Sequence, residues 1–144
     1  RCRSILSEVI FNQLTSNNFQ FYSAGSQPSG EVHPLSIQYL AQTQFDPSRA
    51  QSQSWDDFVD SDIDIAITVC DSAANEVCPI WMQNCIKLHW PLVDPSKVEG
   101  SDADKQAAFL HCIDTIKQRV ALFLDMDLDN LQGAQLQQAL SSLA

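Results

Sequence analysis

Basic residues are scarce in this chain: 8 Lys and Arg stand against 18 Asp and Glu, a formal net charge of -10 over 144 residues. That balance repels polyanions and leaves little charge to neutralise phosphates, which excludes non-specific nucleic-acid binding. Glycine and proline are also few, 4 and 6, and 44% of residues are hydrophobic, which excludes collagen-like and wholly disordered chains. No apolar run approaches the roughly 18 residues of a membrane helix, and the start shows no basic-then-apolar leader. The expectation is a cytoplasmic protein with no membrane partner. The 5 cysteines, Cys2, Cys70, Cys78, Cys85 and Cys112, are odd in number and irregularly spaced, unlike the dense frameworks of small secreted proteins. Free or redox-active thiols fit them better. The length suits one hydrophobic core.

What is present is an alternation of helical and strand patterns. Ile5, Leu6, Val9, Ile10 and Leu14 form an amphipathic stripe, predicting a helix from about Ser4 to Leu14 that stops at the polar run Thr15 to Asn18. Phe19 to Ser23 is short, aromatic and bounded by polar residues, predicting a strand. Pro34 opens a second helix of about residues 34 to 43, and Ser54 caps a short one ending near Asp60. The β-branched run Ile63 to Val69 is the strongest strand pattern, with Cys70 and Cys78 following at its carboxyl end, where α/β folds bind ligands. Ile86 to Trp90 predicts another strand, and Ser96 to Asp104 an acidic loop. Residues from Ala108 to Leu124 mark a long helix, and residues 128 to 144 an accessory helix or tail on a main domain of residues 1 to 127. The pattern favours an α/β fold with an open parallel sheet flanked by helices. Three strands make a small sheet, which a strand ahead of Arg1 would complete.

Taken singly, the chemically competent residues have plain readings. Cys70 and Cys78 could be two core thiols or half of a metal site, with zinc disfavoured because no further ligands stand at metal spacing. Asp94 before Pro95 is ordinarily a turn residue. Arg3 at a helix start is a misfit, since that end of the dipole disfavours cations, and the misfit is easier to understand beside an anion. Glu8, His33, His89 and His111 read as structural, and Cys85 and Cys112 as core residues.

Four segments change these readings together. Arg1-Cys2-Arg3-Ser4-Ile5-Leu6-Ser7-Glu8 resembles the second half of the oxyanion loop of low-molecular-weight protein tyrosine phosphatases and of the thiol-linked arsenate reductases that share their fold. Tyr22-Ser23-Ala24-Gly25 resembles their second strand and turn. The segment Val69 to Pro79 resembles the reductases' redox loop, and His89-Trp90-Pro91 through Asp94-Pro95 resembles the segment carrying their general acid. The resemblance runs in order from residue 1 to about residue 124.

It implies a phosphotyrosine phosphatase I-like fold and an arsenate reductase. In that family the loop reads Cys, five residues, Arg, then Ser or Thr. It therefore implies a nucleophilic Cys ahead of Arg1, with the first strand and half of the oxyanion loop missing from these residues. Backbone N-H groups and a helix N-terminus hold the anion in such loops. By match, Cys2 lends a backbone N-H, Arg3 a planar fork for the anion, and Ser4 a hydroxyl for the nucleophile's thiolate. Cys70 would be the second thiol of a relay and Cys78 the third. Asp94 would be the general acid, with its pKa raised by burial near the anion.

The implied partners are an arsenate or phosphate oxyanion and a reductant, thioredoxin or glutathione with glutaredoxin. No cofactor and no metal is expected. Glu8 and Ser23 match potassium-binding positions of some reductases, but Trp55 stands where a third has an acid. The rival readings are a phosphatase, against which Cys70 and Cys78 argue, and a non-catalytic truncated protein that binds a partner or forms a homodimer through an open sheet edge.

Overall fold

The computed structural model describes residues 2–15 and 19–144. Its sheet has two parallel strands, β1 (Ile65–Thr68) and β2 (Ile86–His89), in the register Ile65 to Ile86 through Thr68 to His89. Five α-helices accompany it: α1 (Arg3–Leu14), α2 (Pro34–Gln42), α3 (Asp71–Ala74), α4 (Asp102–Leu124) and α5 (Gly133–Ser141). Single 3-10 turns punctuate the loops. None of the described helices is long and apolar enough to cross a membrane.

The expected apolar stripes are the buried faces. Leu6 and Ile10 of α1 are fully buried, and the helix lies against α4, whose Phe109, Ile113, Ile116 and Val120 are buried in turn. Each such side chain contributes roughly 1.5 to 3 kcal/mol by leaving water. Phe11 joins three elements, stacking 6.0 Å from Trp90 and meeting Phe123 edge-on at 5.9 Å and Phe21 at 4.9 Å. Side-chain caps start α2 and α4. The His33 ring accepts the Leu35 N-H at 3.2 Å ahead of Pro34, and Ser101 and Asp104 form a reciprocal capping box at α4. That box starts α4 inside the stretch expected to be an acidic loop.

Two expectations are corrected. The β1 pattern is trimmed from Ile63–Val69 to four residues. Phe19 to Ser23 is not a strand, because side chains of α1 take the hydrogen bonds a neighbouring strand would make. The Asn12 amide donates to the Phe21 carbonyl at 2.8 Å and its oxygen accepts the Phe21 N-H at 2.9 Å, while Glu8 accepts the Ser23 N-H at 2.6 Å. β1 thus has a single partner strand among the described residues. Of the expected polar stop after α1, Thr15 is its C-cap; residues 16 to 18, like Arg1, lie outside the described residues.

The C-terminal segment is a docked helix. Leu140 and Leu143 of this segment are buried, the Trp90 indole N-H donates to the Leu140 carbonyl at 3.0 Å, and α5 lies against β2.

Candidate functional site

Parallel pairing brings the carboxyl ends of β1 and β2 to the same edge of the molecule. The ladder continues past the strands: the Trp90 N-H donates to Thr68 O at 2.9 Å and the Leu92 N-H to Val69 O at 3.0 Å. Beyond that point the two chains diverge, one into Cys70 and α3, the other into Pro91 to Asp94. The N-terminus of α1 faces the same opening. A cleft of about 880 Å³ results, and Cys2, Arg3, Ser4, Cys70, Cys78 and Asp94 all line it. Its wall includes β1 from end to end, together with Tyr22 and Gly25.

Arg3 and Asp94 are its charged pair. Arg3 Nη1 donates to the Leu92 carbonyl at 3.0 Å, and Nη2 lies 3.4 Å from Asp94 Oδ2. Asp94 is itself fixed as a cap, its Oδ1 accepting the Ser96 N-H at 2.9 Å and the Ser96 hydroxyl at 2.6 Å, with Pro95 fully buried behind it. The raised carboxyl pKa expected from the sequence belongs to the anion-bound site; with Arg3 facing Asp94 the direction is downward. Burial pushes Asp94 up, but the two bonds from Ser96 and the Arg3 guanidinium outweigh it and hold the group below its ordinary value.

The two loop thiols are free and half-buried. Cys70 is the N-cap of the four-residue α3, its sulfur 3.5 Å from the Ser72 hydroxyl. Cys78 lies between Val77 and Ile80, which are 91% and 82% exposed, so that apolar side chains beside it face water. His89, for which the sequence offered no chemical role, braces this loop. Its Nδ1 is 2.8 Å from the Thr68 hydroxyl and its Nε2 3.0 Å from the Asp71 carboxylate, one residue beyond Cys70.

The other cysteines are of a different kind. Cys2 and Cys112 are both 4% exposed. Burial raises the Cys2 thiol above its ordinary value, partly opposed by the Ser36 hydroxyl at 3.4 Å, and pushes the Cys112 thiol up to about 12. Cys85 is half-buried, and its thiol donates to the Ile63 carbonyl at 3.2 Å.

Glu8 and Ser23 meet, as noted, through the Ser23 N-H, and burial raises the Glu8 carboxyl. Trp55 brings no side-chain oxygen, and no group of three His, Cys, Asp or Glu suited to a metal occurs among the described residues.

Arg119 escaped the sequence reading. It interrupts the apolar face of α4 among Ile116, Val120 and Phe123, and a cation in that stripe was the available signal. It is 9% exposed and donates to the carbonyls of Trp90 at 3.1 Å and Pro91 at 2.8 Å.

Comparison with known proteins bears on these residues as a set. Residues 1–139 match the family described as low molecular weight phosphotyrosine protein phosphatase. An arsenate reductase from Halalkalibacterium halodurans is 32% identical over 124 residues, covering 86% of this chain and 88% of the relative. One from Bacillus subtilis is 30% identical over 128 residues with the same coverage. One from Staphylococcus xylosus is 33% identical over 101 residues, 70% of this chain and 76% of the relative.

Proposed function

The chain belongs to the low molecular weight phosphotyrosine protein phosphatase family, and from that premise we propose that it is an arsenate reductase working through a cysteine relay. One observation carries the reading: Arg3, Cys70, Cys78 and Asp94 open on a single cleft at the carboxyl ends of the strands. A phosphatase needs an anion-binding arginine and an acid, and only a reductase needs two further thiols beside them.

In this reading the attacking thiolate belongs to a cysteine ahead of Arg1. The strand carrying it would pair along the edge of β1 opposite β2, where β1 has no neighbour among the described residues, and so lead into the N-terminus of α1. Backbone N-H groups at that terminus, Cys2 included, and the Arg3 fork hold a tetrahedral oxyanion, and Ser4 supports the thiolate. The anion competes with Asp94 for the Arg3 guanidinium, which releases the carboxyl from the charge that lowers its pKa and lets it carry a proton. Asp94 delivers that proton to the oxygen expelled as water when sulfur bonds to arsenic.

Cys70 then attacks the sulfur of the adduct. The sulfur-arsenic bond breaks, its electron pair reduces arsenic, arsenite leaves, and a first disulfide remains. Cys78 attacks Cys70 in turn, which frees the nucleophile and leaves a Cys70–Cys78 disulfide. A dithiol such as thioredoxin, or glutathione with glutaredoxin, supplies the two electrons that restore both thiols. A reducing cytoplasm suits such chemistry.

The test is Cys70→Ser in the whole natural protein. It should abolish repeated arsenate turnover while sparing slow hydrolysis of an aryl phosphate. Undiminished arsenate turnover overturns the relay, and an aryl phosphatase inert toward arsenate points to the phosphatase reading instead.

A further inference from the structure

Two arginines hold the segment that carries Asp94, and only one of them faces the cleft. Arg3 takes the Leu92 carbonyl and the Asp94 carboxylate from the front. Arg119 reaches from α4 behind it to the two preceding carbonyls, Trp90 O and Pro91 O, through different nitrogens. We propose that Arg119 is a positioning residue for Asp94, fixing the strand-end segment from residue 90 so that the carboxyl stands at the leaving oxygen. The inference rests on the role given to Asp94 above.

The cost of the arrangement argues for it. A guanidinium that is 9% exposed, with no acid paired to it among the described residues, forfeits most of its hydration. Leucine or methionine would fill the same apolar stripe without that loss. What arginine alone offers is a planar fork that satisfies two successive carbonyls at once. Trp90 is 3% exposed, so its carbonyl would be left buried and unpaired without the fork. From Pro91 to Asp94 the chain makes no further strand, so the direction it leaves in is set at residues 90 and 91. The other end is pinned by the buried Pro95. Hydroxide is a poor leaving group, and a displaced acid would therefore cost rate even with the anion correctly bound.

Arg119→Met and Arg119→Lys in the whole natural protein test this by two routes. Lysine keeps the charge and can reach one carbonyl, which serves should the methionine variant fail to fold. Hydrogen exchange reads the clamp: the N-H groups of Trp90 and Leu92, bonded to Thr68 O and Val69 O, should exchange about tenfold faster or more in the variants, while those of α1 keep their rates. Aryl phosphate hydrolysis reads the acid. Phenyl phosphate, with its basic leaving group, should slow about tenfold or more relative to para-nitrophenyl phosphate, and Arg119→Met should add little to Asp94→Asn. Unchanged exchange at Trp90 and Leu92, or equal slowing of both esters, overturns the proposal. A wild-type protein inert toward arsenate and both esters removes the proposed function, and the exchange rates then decide alone whether Arg119 holds the segment.

Discussion

Arg3 and Asp94 stand 3.4 Å apart, and the same guanidinium donates to the Leu92 carbonyl at 3.0 Å. The relationship explains a cation at the first position of α1, where the helix dipole opposes it. It also ties the start of the chain to a loop some ninety residues on. In the proposed mechanism, a carboxyl held down by an arginine that the incoming anion claims becomes an acid when substrate arrives, rather than before.

Acid stability should report this pair. The folded pKa of Asp94 lies below its ordinary 3.8, so its stabilising contribution is complete above that value and is lost as pH falls through the folded pKa. Asp94→Asn should cost about 1 kcal/mol at neutral pH, with the two proteins converging below the ordinary value. Urea midpoints measured from pH 2.5 to 7 check it. Parallel curves across the range would deny the pair any role.

Thiol labelling should divide the cysteines. Cys70 and Cys78 should alkylate first in the folded protein, Cys85 more slowly, and Cys2 and Cys112, each 4% exposed, only on unfolding. The Cys112 thiol, raised to about 12 by burial, is almost wholly protonated at pH 8. Its ionisation opposes folding, so stability should decline as pH climbs from the thiol's ordinary 9.0 towards 12, by at most about 1.4 kcal/mol per pH unit. Iodoacetamide with peptide mapping reads the order. Early modification of Cys112 would contradict it.

The last helix should be part of the cooperative fold. Ending the chain after Leu131 removes the Leu140 carbonyl from Trp90 and the buried Leu140 and Leu143 from the core. That loss is worth about 3 to 5 kcal/mol. Trp90 fluorescence should shift to the red and the urea midpoint should fall. An unchanged spectrum and midpoint would make the segment a tail.

The sequence was most legible where one local signal decided the outcome. The β-branched run before Cys70 holds β1, and the stripe from Phe109 to Phe123 is the buried face of α4. The placement of Cys70 and Cys78 beyond β1 followed from those patterns. Phe19 to Ser23 misled because its backbone bonds are taken by Asn12 and Glu8, side chains that seemed to belong wholly to a helix. The start of α4 was hidden because the acids of its capping box look like those of a loop. The hold of Ser96 on Asp94 was not legible, because a hydroxyl two residues on reads only as part of a turn. Arg119 could not be read at all without knowing which carbonyls α4 faces.

The relay itself is tested most directly by its covalent product. The whole natural, fully reduced protein is mixed with arsenate without reductant, quenched after one turnover, alkylated, and mapped by mass. The account predicts one Cys70–Cys78 disulfide for each arsenite formed. Arsenite released with Cys70 and Cys78 both alkylated would contradict it.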